Sequence, residues 1–122
     1  MNKKFYVPFE TAKMLKKAGY PQAGSDMYYN PNGELKTQVE LIAGYKEDYP
    51  IMITYYYATP AYCEVLDWLV GKRIYIDIDC TAKAKWYCYM WEGSSSVGAT
   101  GDYIDREQAI NAAIVRVLEE LQ

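Results

Sequence analysis

Histidine is absent from the 122 residues, and that one omission removes the commonest general base at neutral pH, the commonest metal-ligating side chain and the physiological pH switch. Phenylalanine is nearly absent too, with two residues against fourteen tyrosines. Aromatic content therefore comes from a side chain that buries a ring yet needs a partner or water for its hydroxyl, so half-buried borders and contact surfaces are its expected places. No apolar run approaches the roughly 18 residues that a membrane span needs, and no charged-then-apolar leader opens the chain. A soluble, cytoplasmic protein without membrane association is the expectation. Cysteine is scarce: Cys63, Cys80 and Cys88 are odd in number and include no Cys-x-x-Cys pair. They read as small buried hydrophobes in a reducing compartment, not as disulfides or zinc ligands.

What is present suffices for a core. The apolar fraction is 51%, which argues against disorder, and the length fits one domain spanning 1–122. The net charge of −3 hides an asymmetry, because residues 1–17 carry five lysines against the single acid Glu10. Lys13, Lys16 and Lys17 fall on one predicted helix and read as its solvated face. A nucleic-acid footprint usually requires more positive charge than this.

Pro8, with Phe9, Ala12, Leu15 and Ala18 on one side and Gly19 as a stop, predicts a short amphipathic helix over 8–18. Met27-Tyr28-Tyr29 and Glu34-Leu35-Lys36 flank Asn30-Pro31-Asn32-Gly33, which reads as a hairpin. Residues 37–50 support no single assignment. Ile51 to Tyr57, β-branched and aromatic between two prolines, predicts a strand. Thr59-Pro60 then predicts a cap and first turn for a helix to Val70, with Ala61, Val65, Trp68 and Leu69 inward.

Strict alternation follows. Ile74, Ile76, Ile78 and Cys80 share one face of a strand whose other face carries Tyr75, Asp77 and Asp79. The run from Ala84 to Glu92 places Trp86, Cys88 and Met90 on one side and Lys85, Tyr87, Tyr89 and Trp91 on the other. A hairpin turning at Thr81-Ala82-Lys83 aligns the apolar faces and sets Asp79 opposite Lys85, Asp77 opposite Tyr87 and Tyr75 opposite Tyr89. Gly93 to Gly101 has the composition of a mobile loop. Asp105 and Gln108 open a final helix with an apolar stripe of Ala109, Ile110, Ala113, Ile114, Val117, Leu118 and Leu121. The expected fold is α+β in the order α-β-β-β-α-β-β-α, an antiparallel sheet with helices packed mainly on one face.

Catalytic chemistry finds little support. The run Gly93-x-x-x-x-Gly98-Ala99-Thr100 follows a strand as a phosphate loop does, but Ala99 stands where the lysine belongs. Asp77 and Asp79 share a strand face, yet two carboxylates seldom hold a divalent cation, and neither serines nor cysteines have an activating base. No catalytic residue, cofactor or metal is expected. The binding candidates are Tyr75, Tyr87, Tyr89 and Trp91, with Tyr55-Tyr56-Tyr57 a possible extension. A covering helix would make this face core; left open, it is a contact surface of the residue types enriched at binding hot spots. Lys83 and Lys85 nearby suit single-stranded bases stacked on the rings, whereas Asp77 and Asp79 oppose a polyanion.

Several fragments resemble small uncharacterised proteins of phages and integrated elements of gut bacteria: Phe9 to Tyr20, Tyr28-Tyr29-Asn30-Pro31-Asn32-Gly33-Glu34-Leu35, Thr59 to Leu69 followed by Ile74-Tyr75-Ile76, and the alanine-rich last helix. The resemblance implies a mobile-element origin and carries no catalytic residue. Together these readings give a non-enzymatic accessory protein that binds an unidentified protein partner, with single-stranded nucleic acid as the alternative.

Overall fold

The computed structural model describes residues 3–44 and 54–121, residues 42–44 by backbone only. It is an α+β fold in which the expected elements follow one another in the expected order, with further elements among the described residues that include a short 3-10 helix at Lys3–Phe5, a helix at Gln38–Gly44 and a strand at Ser95–Ala99. Among the described residues the strands form two three-stranded antiparallel sheets rather than one. The chain divides into two compact units, residues 6–60 and residues 1–5 with 61–122.

In the first unit, α1 (Phe9–Lys17) buries Thr11, Ala12 and Leu15. Strands β1 (Met27–Tyr29) and β2 (Leu35–Thr37) form the expected hairpin, and β3 (Tyr57–Ala58) pairs with the other edge of β1. The hairpin loop is organised by Asn30, whose Oδ1 accepts from the backbone N–H groups of Asn32 and Glu34 at 3.0 and 2.9 Å. Gly33 closes it in the left-handed region, φ 84°, as a glycine there can without steric penalty. Tyr28 is fully buried in the core with Leu41 and Ala58. Its hydroxyl donates to the Gln22 carbonyl at 2.7 Å, so the ring is buried without an orphaned oxygen.

Two readings change here. The unassigned stretch contains α2 (Gln38–Gly44). Thr37 caps it, its Oγ1 accepting from the Glu40 N–H and donating to the Glu40 carboxylate, both at 3.1 Å, a Thr-x-x-Glu capping pair. The strand expected over Ile51 to Tyr57 is corrected: positions 51–53 lie outside the described residues, Thr54 and Tyr55 are helical, and extended backbone begins only at Tyr57. The Lys16 ammonium donates to the carbonyls of Thr54 and Tyr56 at 2.6 and 2.8 Å, which gives the carbonyls at this helical turn a cationic partner. Partial burial lowers the Lys16 pKa from its ordinary value.

In the second unit, α3 (Tyr62–Gly71) and α4 (Arg106–Leu121) pack on the sheet formed by β4 (Ile74–Cys80), β5 (Trp86–Glu92) and β6 (Ser95–Ala99), in the order β4-β5-β6. Helix α3 starts two residues later than expected. Thr59 is buried and does not cap it; instead the Glu64 carboxylate accepts from the Ala61 N–H at 2.9 Å. Val65, Leu69, Ile74, Cys88, Met90 and the α4 stripe from Ala109 to Leu118 make the core. Leu121, expected in that stripe, is exposed.

The segment expected to be a mobile loop is a hairpin: Gly93-Ser94 turns the chain, and Ser95–Ala99 pairs with β5. Part of what holds this strand comes from α4. The Arg116 guanidinium donates to the carbonyls of Ala99 and Val97 at 3.2 and 3.3 Å, and a Cβ at Gly98 would sit 2.8 Å from its Nη2. An edge strand is thereby given side-chain partners for backbone acceptors that would otherwise face water.

Candidate functional site

The alternation read from the sequence sets the two faces of β4 and β5. Ile76, Ile78, Cys88 and Met90 turn toward the helices of the same unit; Tyr75, Asp77, Asp79, Tyr87, Tyr89 and Trp91 lie on the other face, away from those helices. Tyr75 is 38% exposed and Tyr89 44%, with Tyr87 and Trp91 half-buried. All four candidate binding residues therefore share one open surface. Tyr55, Tyr56 and Tyr57 belong to the other unit and are not part of this sheet.

The register differs from the expected one by two residues. Asp79 pairs with Tyr87, Asp77 with Tyr89 and Tyr75 with Trp91. The faces survive because a shift of two preserves side-chain parity. The turn is longer than Thr81-Ala82-Lys83. The Thr81 N–H donates to the Lys85 carbonyl at 2.7 Å, the Thr81 hydroxyl accepts from the N–H groups of Lys83 and Lys85, and Ala84 takes up a left-handed φ of 58°. Consequently the expected Asp79 and Lys85 pair does not form; Lys85 sits in the turn.

Each carboxylate instead binds an aromatic polar tip. The Trp91 indole N–H donates to Asp77 Oδ2 at 3.0 Å, and the Tyr87 hydroxyl donates to Asp79 Oδ2 at 3.1 Å. Asp79 Oδ1 accepts from the Cys80 N–H at 2.8 Å. The bond to Asp79 is the main reason that the Tyr87 pKa rises above its ordinary value. The Tyr87 and Tyr89 rings meet edge to face, 5.3 Å apart and at 85°, an arrangement aromatic quadrupoles favour. On the neighbouring strand, Ser96 faces Trp91 and Ala99 faces Tyr89. Small residues on β6 thus leave the β5 rings open on that side.

Chemically the surface is a set of four π-faces, those of Tyr87 and Trp91 held by hydrogen bonds, with two carboxylates between them, and among the described residues neither Asp77 nor Asp79 is in an ion pair. Such a surface attracts cations through both the carboxylates and the ring quadrupoles. Among the described residues no group of three or more His, Cys, Asp or Glu side chains is arranged to hold a metal ion, and no helix is long and apolar enough to cross a membrane.

The cysteines correct the expectation that all three are buried. Cys63 and Cys80 are exposed; only Cys88 is in the core. Cys63 lies on the outer side of α3, and Cys80 ends β4. Burial pushes the Cys88 thiol up to about 11, which makes it a poor nucleophile. A thiol reagent at mildly alkaline pH is expected to modify Cys63 and Cys80 in the native protein and Cys88 only after unfolding. Cys88 also implies a pH dependence. Its thiol ionises near 9.0 when unfolded and near 11 when folded, so the unfolded chain loses that proton first and stability falls as pH rises between those values. The loss is roughly 3 kcal/mol at most, measured as the wild-type change in unfolding free energy minus that of Cys88→Ala.

Comparison of the chain with family models, with curated proteins and with solved structures finds no match.

Proposed function

We propose that the chain is a non-enzymatic interaction protein that docks an arginine- or lysine-bearing segment of a partner protein on the open face of the β4-β5-β6 sheet. The observation that carries this reading is the alternation, on one sheet face, of exposed and half-buried rings with carboxylates that are in no ion pair among the described residues, Trp91 and Tyr87 being held by Asp77 and Asp79. Rings fixed before binding lose little rotamer freedom on contact, a property of good anchors. The mobile-element origin that we attach to this function rests on the sequence resemblance alone. A second reading, single-stranded nucleic acid on the same rings, draws on exposed Lys83 and Lys85 at one end of the sheet. The intervening carboxylates weigh against a phosphate backbone.

Titration of isotope-labelled protein with an oligoarginine peptide, its citrulline counterpart and a single-stranded oligonucleotide separates the readings. The arginine peptide is expected to move the Trp91 indole and β5 amide resonances while the uncharged peptide leaves them in place. Movement of the same resonances by the oligonucleotide alone would transfer the site to nucleic acid. Equal shifts with both peptides would remove the role assigned to charge.

A further inference from the structure

A second site stands at the end of the β4-β5-β6 sheet, where two turns meet. The chain leaves α3 through Lys72 and Arg73, and β5 passes to β6 through Gly93 and Ser94. The Gly93 N–H donates to the Arg73 carbonyl at 2.8 Å, which ties the turns together. Between them lies an open cleft of about 450 Å³ lined by Lys72, Arg73, Glu92, Gly93, Ser94 and Ser95.

Three observations give this cleft a preference for anions. Among the described residues neither Lys72 nor Arg73 is in an ion pair, and the two side chains line the cleft together with Ser94 and Ser95. The cations are also positioned: the Lys72 ammonium lies 4.8 Å from the centre of the Trp68 ring, and a Cβ at Gly93 would come within 3.5 Å of Arg73 Nη2. Arg73 moreover holds a left-handed backbone, φ 63°, a conformation that glycine adopts without penalty and arginine does not. Arg73 is the residue after the C-cap of α3, and its N–H donates to the Val70 carbonyl at 2.9 Å, so this left-handed helix ending sets a guanidinium beside the cleft.

We propose that this cleft binds the phosphoryl group of a small phosphomonoester, held by Arg73 and Lys72 with the Ser94 and Ser95 hydroxyls. Glu92 on the same wall accepts from a hydroxyl or amino group of the ligand and repels longer polyphosphates. The sequence pattern around Gly93 lacks the lysine of a phosphate loop; here the cations come from the α3–β4 turn. This site is independent of the aromatic face.

The test titrates labelled full-length protein with inorganic phosphate, glycerol phosphate, glycerol and sodium chloride at matched ionic strength. The two phosphate probes are expected to shift the Gly93, Ser94 and Ser95 amides, with glycerol and chloride silent. Arg73→Gly, in which the relief of the left-handed backbone and the added freedom of the unfolded chain roughly offset each other, is expected to leave the melting temperature close to wild type and to weaken glycerol phosphate binding by about ten-fold or more. Should that variant unfold, Lys72→Gln takes its place, with the same loss expected. Shifts reproduced by chloride, or retained at full affinity in these variants, would overturn the proposal.

Discussion

Alanine at Trp91 is expected to leave the fold nearly intact and to weaken docking on the open sheet face by about 2 kcal/mol, roughly thirty-fold. Alanine one residue earlier, at Met90, is expected to do the reverse. The two side chains leave the same strand in opposite directions. Met90 is fully buried under the helices of the second unit, and its truncation leaves a cavity worth about 2–5 kcal/mol. Trp91 is half-buried on the face away from those helices, where it donates to Asp77 and stands across from Tyr75. Its loss removes those cross-strand contacts, within about 1 kcal/mol, while deleting the largest ring from the proposed anchor. Tyr89→Ala should follow Trp91→Ala, since Tyr89 is 44% exposed. Urea unfolding and peptide titration on the same samples separate the two effects. A loss of about 3–5 kcal/mol in stability from Trp91→Ala would mean that the face is core, and the docking site would be lost with it.

The face was legible in the sequence because parity is robust. Alternation fixes which side of a strand each residue occupies, and a shift of two in register leaves that unchanged. The register itself depended on the turn, where Thr81 serves as acceptor for two amides and Ala84 adopts a left-handed φ. Nothing in the local apolar pattern encodes that. Strand β6 was hidden for a related reason: Ser95-Ser96-Val97-Gly98-Ala99 has poor strand propensity, and part of its support arrives from Arg116, seventeen residues beyond Ala99. Helix α2 was different, since the Thr37-x-x-Glu40 capping pair stood in the sequence and signalled a helix start. The tyrosine-rich run failed in the opposite sense. Its β-propensity was high, but Thr54 and Tyr55 are helical and their neighbourhood is held by Lys16 from α1, so tertiary context overrode local preference. The cysteines were misjudged because residue type reports an average burial. Cys63 lies on an outer helix face and Cys80 at a strand end. The cleft of Lys72, Arg73 and Ser94 escaped the sequence reading because its parts lie some twenty residues apart and meet only through sheet pairing.

Gly33→Ala is expected to destabilise the first unit by about 2–4 kcal/mol, far more than a methyl group on a surface turn ordinarily costs. Two terms add. The left-handed φ of 84° penalises any side chain by about 1 kcal/mol. The new Cβ would also stand 2.9 Å from Phe9 Cδ2 and 3.2 Å from Cε2, inside the distance at which carbon atoms repel. The Phe9 ring has little room to yield, since it packs against Tyr29 at 5.4 Å and Tyr57 at 5.6 Å, with the Lys13 ammonium 4.6 Å from its centre. Overpacking of this kind costs about 1–3 kcal/mol. Gly24 supplies the control, because its φ is 82° yet a Cβ there meets nothing within 4 Å; Gly24→Ala should show the backbone penalty alone. Combining Gly33→Ala with Phe9→Leu should then recover part of the steric term, a coupling that a double-mutant cycle in urea reads directly. Equal losses at Gly33 and Gly24, with no coupling to Phe9, would show that the ring moves aside freely and that the aromatic cluster does not brace the hairpin.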